Sequence, residues 1–202
     1  MTKAPGPRYR RYPSETRAAM LVEAGLTCLA RGGITLFTID NICREAGASR
    51  GLITHHFGSK DGLLAAVYAT MYDRLMASAP PQDHAEPDLI ALVDANFAPE
   101  VFNRDSLKIW LALWGEVANN DALRAVHRRR YADYRDKIAR AVSLIAAKRD
   151  RTVDAMALAV MLIALADGVW LEQGIDPAML SRDAARDACF GLLEAFLGPL
   201  PR

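Results

Sequence analysis

The chain has 202 residues, 51% apolar and 24% charged with a net charge of +1. That composition supports a sizeable core and excludes wholesale disorder. The longest apolar run, Ala155 to Ala166, covers twelve residues between two aspartates, short of the roughly 20 that a membrane-spanning helix needs. The basic N-terminal stretch MTKAPGPRYRRYP precedes no apolar segment of a secretory signal, and Cys28, Cys43 and Cys189 form no C-x-x-C pair. A soluble, cytoplasmic protein is expected, without a disulfide framework, metal site, cofactor or membrane partner.

Residues 1–60 carry nine Lys/Arg against four Asp/Glu, and residues 61–202 carry sixteen against twenty. A basic segment ahead of an acidic body suits a polyanion such as nucleic acid, with Arg8, Arg10 and Arg11 on a lead-in arm as phosphate contacts. Chance fluctuation in short windows produces similar splits.

Helical spacing dominates the chain, predicting an all-α protein of about nine helices. The first runs from Ser14 to Arg31, with Met20, Leu21, Ala24 and Cys28 as its apolar stripe and Gly32-Gly33 as its stop. Thr38 caps a short helix, Ile39 to Ala46, closed by Gly47, with Asp40 favouring its dipole. Ser49 caps the next, Arg50 to Phe57, which Gly58 breaks. Ser59 and Asp61 open a long fourth helix to about Ala79. The Pro80-Pro81 to Pro87 stretch reads as a linker between a small N-terminal module and a larger body. Further helices are expected over 88–102, 106–118, 121–147, 152–173 and 182–197.

Residues 38–60, TIDNICREAGASRGLITHHFGSK, read as a helix-turn-helix. Ile39, Ile42, Cys43, Ala46, Ile53 and Phe57 form the inward faces. Arg50, Gly51, Leu52, Thr54, His55 and His56 are left on or near the outer face of the second helix, where a recognition helix meets base edges. Arg50 suits a bidentate contact to guanine and Leu52 a thymine methyl. Thr38, Ser49 and Lys60 stand at helix starts, where hydroxyl, ammonium and backbone N–H groups hold phosphates. The alternative is a helical hairpin that acts through protein partners and binds no DNA.

No catalytic residues are expected: His55 and His56 are adjacent and do not share a helical face, and no H-E-x-x-H, P-loop or G-x-S-x-G occurs. His84 falls in the linker, and His127 heads the run Arg128-Arg129-Arg130, read as a solvated helix face.

In the body, Trp110 and Trp114 are four apart on one helical face, and Trp170 follows Asp167 by three. Rings beside a carboxylate suit an ammonium ligand through cation–π attraction and charge neutralisation. The alternative is ordinary core, with Asp167 bonded to a backbone group or an Arg of the next helix. Small residues on the last two helices (Ala155, Ala159, Ala166, Gly168; Ala184, Ala185, Ala188, Gly191) permit close helix approach, between subunits or within one.

The segment from Thr38 to Lys60 resembles the TetR family of transcriptional repressors, through Thr38, Ile39, Ile42, Ala46, Gly47, Ser49, Gly51, Ile53, His56, Phe57 and Lys60. Thr54 stands where many members carry Tyr, which weakens its expected phosphate contact. NFAPE (96–100), LKIWLALW (107–114), LADGVWLE (165–172) and THHF (54–57) are similar to the choline-responsive BetI subgroup. The resemblance implies a dimeric repressor that binds a palindromic operator and is released by a small molecule, with choline or a related ammonium compound the first to test. An unrelated inducer is the alternative. It implies a DNA-binding domain over 1–58, a ligand-binding and dimerisation domain over 59–202, and a homodimer through the last two helices.

Overall fold

The computed structural model describes residues 13–78 and 88–201. The basic arm, the proline-bounded linker and His84 lie outside the described residues. Among these, nine helices and no strands occur: α1 (Ser14–Leu36), α2 (Ile39–Ala46), α3 (Arg50–Phe57), α4 (Lys60–Ala77), α5 (Leu89–Asn96), α6 (Arg104–Val117), α7 (Asp121–Lys148), α8 (Ala155–Ile175) and α9 (Arg182–Leu197).

The N-terminal helices follow their local signals. Gly32 and Gly33 leave helical angles and end the first regular stretch of α1 where expected, and a short helical turn beyond them carries the chain to Leu36. Leu21, Ala24 and Cys28 are buried, whereas Met20 falls off that stripe and is exposed. Thr38 accepts the Asn41 N–H at 3.2 Å, the expected cap of α2. Gly47 ends α2 at φ +58°, ψ 34°, a left-handed conformation that costs glycine nothing and lets the chain turn sharply into α3. Ser49 holds the cap position of α3 in extended backbone but makes no side-chain cap bond, contrary to expectation.

Boundaries shift in the body. Instead of one helix over 88–102, α5 ends at Asn96 and a turn follows, because Pro99 lacks an N–H for the ladder. Asn103 then caps α6, accepting the Ser106 N–H at 3.0 Å. Asp154 caps α8 by accepting the Ala157 N–H at 2.9 Å, so this helix starts at Ala155, three residues later than the expected Thr152.

α4 is the hub. It packs on α1 and α3 on one side and on α5 and α7 on the other, while α1 also packs on α6 and α8 on α6, α7 and α9. One contiguous core therefore runs from Leu21 and Phe37 through Leu63, Val67 and Tyr68 to Phe190 and Leu193. α1 and α8 have the length and apolar composition of a membrane span, but each buries part of its surface against neighbouring helices. α8 still leaves Met156, Val160, Met161, Leu171 and Ile175 exposed.

Candidate nucleic-acid interface and ligand cavity

α2 and α3 are held together by Ile42 and Ile53, both essentially fully buried, with Ile39, Cys43, Ala46 and Phe57 packed around them. This fixes which side of α3 faces outward. The Arg50 side chain is 73% exposed, and Gly51, Thr54, His55 and Lys60 are exposed as well. Arg50 also meets a partner that sequence reading gave another role: its Nη2 pairs with Asp40 Oδ1 at 2.5 Å across the turn. In solvent such a pair is weak, contributing about 0–1 kcal/mol, so it orients the guanidinium without locking it.

Two residues expected outward sit differently. Leu52 is half-buried against the core, so only part of its side chain is presented. His56 is half-buried beside Phe57, with ring centroids 6.1 Å apart, because residue 56 adjoins the inward face that Phe57 defines. Thr38 is exposed and uses its oxygen as a cap acceptor, leaving its O–H to donate. Ser49, exposed and without a cap bond, keeps its hydroxyl available.

The junction between α3 and α4 is tight. A Cβ added at Gly62 would lie 2.0 Å from the Phe57 carbonyl oxygen, so only glycine allows the first turn of α4 to approach the end of α3. Ser59 accepts the Gly62 N–H at 3.0 Å and starts α4 at that point. The recognition helix is thereby seated on the helix that enters the body.

In the body, Trp110, Trp114, Asp167 and Trp170 line one cleft that opens to solvent. Tyr72, Leu75, Asn96, Tyr134 and Ile163 complete the lining. Trp110 and Trp114 stack at 5.7 Å, and Trp170 stands edge-on to Trp110 at 6.5 Å and 89°. Tyr72 meets Trp110 edge-on at 5.2 Å. Asn96, the buried polar residue of α5, donates from Nδ2 to the Leu92 carbonyl at 2.8 Å and to the Tyr134 hydroxyl at 2.7 Å.

Asp167 keeps solvent contact along the cleft, yet protein crowds its remaining sides. Burial is what raises its pKa, from the ordinary carboxylate range to about 6. Among the described residues no Arg or Lys pairs with it. The alternative of an Arg partner is therefore not realised there, and the acid faces aromatic rings without a counter-charge.

Sequence reading missed Tyr72, Asn96 and Tyr134. The available signal was polar-headed aromatic residues at helical spacing, Tyr68 with Tyr72 and Tyr131 with Tyr134, on helices predicted to flank the tryptophans. His127 is also corrected. It is half-buried and shares a 2.7 Å hydrogen bond between Nδ1 and the Tyr68 hydroxyl, because residues 127 and 130 face α4. Arg128 and Arg129 form the solvated face, and Arg130 pairs with Asp73 of α4 at 2.9 Å.

Residues 85–198 match the family described as BetI-type transcriptional repressor, C-terminal, and residues 21–67 match bacterial regulatory proteins of the tetR family. The chain belongs to the TetR family, BetI type. It is 32% identical over 184 residues to the HTH-type transcriptional regulator BetI of Paraburkholderia xenovorans, covering 85% of this chain and 88% of that one. A transcriptional regulator from Pseudomonas aeruginosa is similar in structure, with TM-score 0.77, 34% identity and 93% coverage of both chains. Another, from Saccharomonospora viridis in complex with choline, has TM-score 0.71 and 25% identity, covering 90% of this chain and 97% of that one. As a TetR-family member the chain is a transcriptional regulator and not an enzyme.

Proposed function

We propose that this regulator is a cytoplasmic repressor whose Arg50–Phe57 helix reads an operator and whose Trp110/Trp114/Asp167/Trp170 cleft takes choline or a close ammonium relative. The observation that carries the reading is Asp167, an acid with no counter-charge among the described residues, in a wall of three tryptophans and two tyrosines. A quaternary ammonium supplies the missing charge and suits the ring faces. The choline complex of the Saccharomonospora regulator supports the same ligand class.

On the DNA side, Arg50 and Leu52 contact base edges, while Thr38, Ser49, Gly51, Thr54, His55, His56 and Lys60 contact or approach the backbone. The working domain boundary lies between residues 58 and 59, with α4 as the first helix of the ligand-binding part. Dimerisation uses α8 and α9, whose outward faces carry Met156, Val160, Met161, Leu171 and Ile175 on one and Ala184, Ala188, Gly191 and Phe196 on the other. Apolar faces on two packed helices call for a further partner, and small residues let helices approach closely. Ala159, Ala166 and Ala185 face the subunit's own core. A two-fold dimer sets two recognition helices about 34–36 Å apart, the spacing of successive major grooves.

For release, choline must bind the non-DNA state more tightly, and a tenfold preference is worth about 1.4 kcal/mol. The test is a thermal-shift and tryptophan-fluorescence titration with choline. A saturable rise in melting temperature with a change in tryptophan emission is expected. No shift at millimolar choline overturns the ligand assignment.

A further inference from the structure

We infer that Tyr68 and His127 are positioning residues that couple the aromatic cleft to the tilt of α4, through side chains running from Tyr72 to Tyr68 to His127. The inference rests on the reading above, that a ligand in the cleft releases DNA, and adds the residues that carry the effect to α4.

Tyr72 lines the cleft. Tyr68 lies one turn earlier on the same helix, fully buried, with its ring 5.5 Å from Tyr72 and edge-on to Trp110 at 5.6 Å. A ligand that moves Trp110 or Tyr72 therefore presses on Tyr68 directly. The Tyr68 ring thus touches Tyr72 on one side, and its hydroxyl is bonded to His127 Nδ1 at 2.7 Å on the other. His127 belongs to α7, the body helix against which α4 packs. Of the residues that touch the cleft's ring wall, Tyr68 is thus one that also fastens α4 to α7.

A polar fastener behaves differently from an apolar one. A buried hydroxyl that loses its partner is costly, so α4 favours tilts that keep the Tyr68–His127 bond and disfavours intermediate ones. A ligand that tilts α4 away from α7 works against this bond, so the bond weights the equilibrium that the ligand biases. Burial favours the uncharged forms of both partners, raising the Tyr68 pKa to about 12 and lowering that of His127. At its other end α4 carries the recognition helix, since Gly62 against Phe57 leaves no room for α3 to slide independently.

The experiment uses full-length protein, an operator duplex selected by the wild type from a random pool, and choline as probe. It compares wild type with Tyr68→Phe, His127→Leu and His127→Gln. Two quantities are read: the choline Kd from tryptophan fluorescence, and the fold-weakening of operator affinity at saturating choline. Tyr68→Phe keeps the ring and removes only the hydroxyl. It and His127→Leu should leave choline Kd within about threefold of wild type while reducing the fold-weakening by about fivefold or more. His127→Gln, whose amide can still bond the Tyr68 hydroxyl, should retain most of it. Wild-type fold-weakening in both Tyr68→Phe and His127→Leu overturns the inference, as does equal loss in His127→Gln and His127→Leu.

Failure of choline to bind the wild type sinks the ligand reading instead. The positioning role is then judged on the ligand-free complex, where Tyr68→Phe should change operator affinity by about threefold or more and speed amide exchange in α4. No change in either overturns it.

Discussion

The two candidate sites of this regulator treat charge in opposite ways. The recognition helix displays a cation in water: Arg50 is largely exposed and touches Asp40 in a pair that solvent screens. The cleft holds an anion among rings: Asp167 has no cationic partner among the described residues, and burial pushes its pKa up to about 6. An exposed charge can be presented to a large polyanion at little cost to the fold. A crowded one imposes a cost on its ionised form, which a small cation entering the cleft can relieve. The same contrast separates the two sites in how mutations act: surface substitutions in α3 change binding, whereas substitutions in the cleft wall also change stability.

The largest effect should come from Trp110→Ala. It removes a buried ring that packs on Tyr68, Tyr72, Trp114 and Trp170. Chemical denaturation should show a loss of about 3–5 kcal/mol, and a loss under about 1 kcal/mol would blur the contrast. Arg50→Ala should instead leave stability within about 0.5 kcal/mol. It should weaken operator binding by about 1–3 kcal/mol and relax base preference at one position, read by competition with randomised duplexes. Equal loss on operator and random duplex would remove Arg50 from base readout.

Asp167 sharpens the comparison through pH. Its folded pKa lies above the ordinary value, so the folded chain takes up a proton before the unfolded chain does. This group therefore favours folding as pH falls through about 6 toward 4, and disfavours it above that window. A cation needs the ionised form, so choline affinity should rise with pH up to about 6 and level off above it, falling about tenfold for each unit below. Asp167→Asn should weaken binding and flatten that profile. A profile unchanged in the variant would place the cation elsewhere. The smallest effect is Lys60→Ala, which should weaken all duplexes alike and reduce the salt slope by about 1.

The recognition module was legible because its signals are local. Thr38, Gly47 and Ser59 each act on neighbours a few residues away, Ile42 and Ile53 follow the apolar spacing of their own helices, and α2 and α3 begin and end as expected. The Arg50–Asp40 pair was missed because it spans two helices, and the turn geometry that joins them is not written in periodicity. In the body, the spacing of Trp110 with Trp114 and of Asp167 with Trp170 put each pair on one face. Whether those faces meet depends on how α6 and α8 cross. Tyr72, Asn96 and Tyr134 arrive from three further helices. His127 was misread because its charged neighbours suggested solvent, whereas a helix alternates faces within one turn and turns His127 and Arg130 toward α4.

The central claim is that an ammonium ligand in the tryptophan-lined cleft releases DNA from the Arg50 helix. Its most direct test is the fluorescence anisotropy of a labelled, wild-type-selected operator duplex, titrated with choline above pH 7. The account predicts saturable loss of anisotropy that Asp167→Asn shifts to higher choline while operator affinity without choline stays unchanged. Operator that stays fully bound while the tryptophans report a saturated cleft would contradict it.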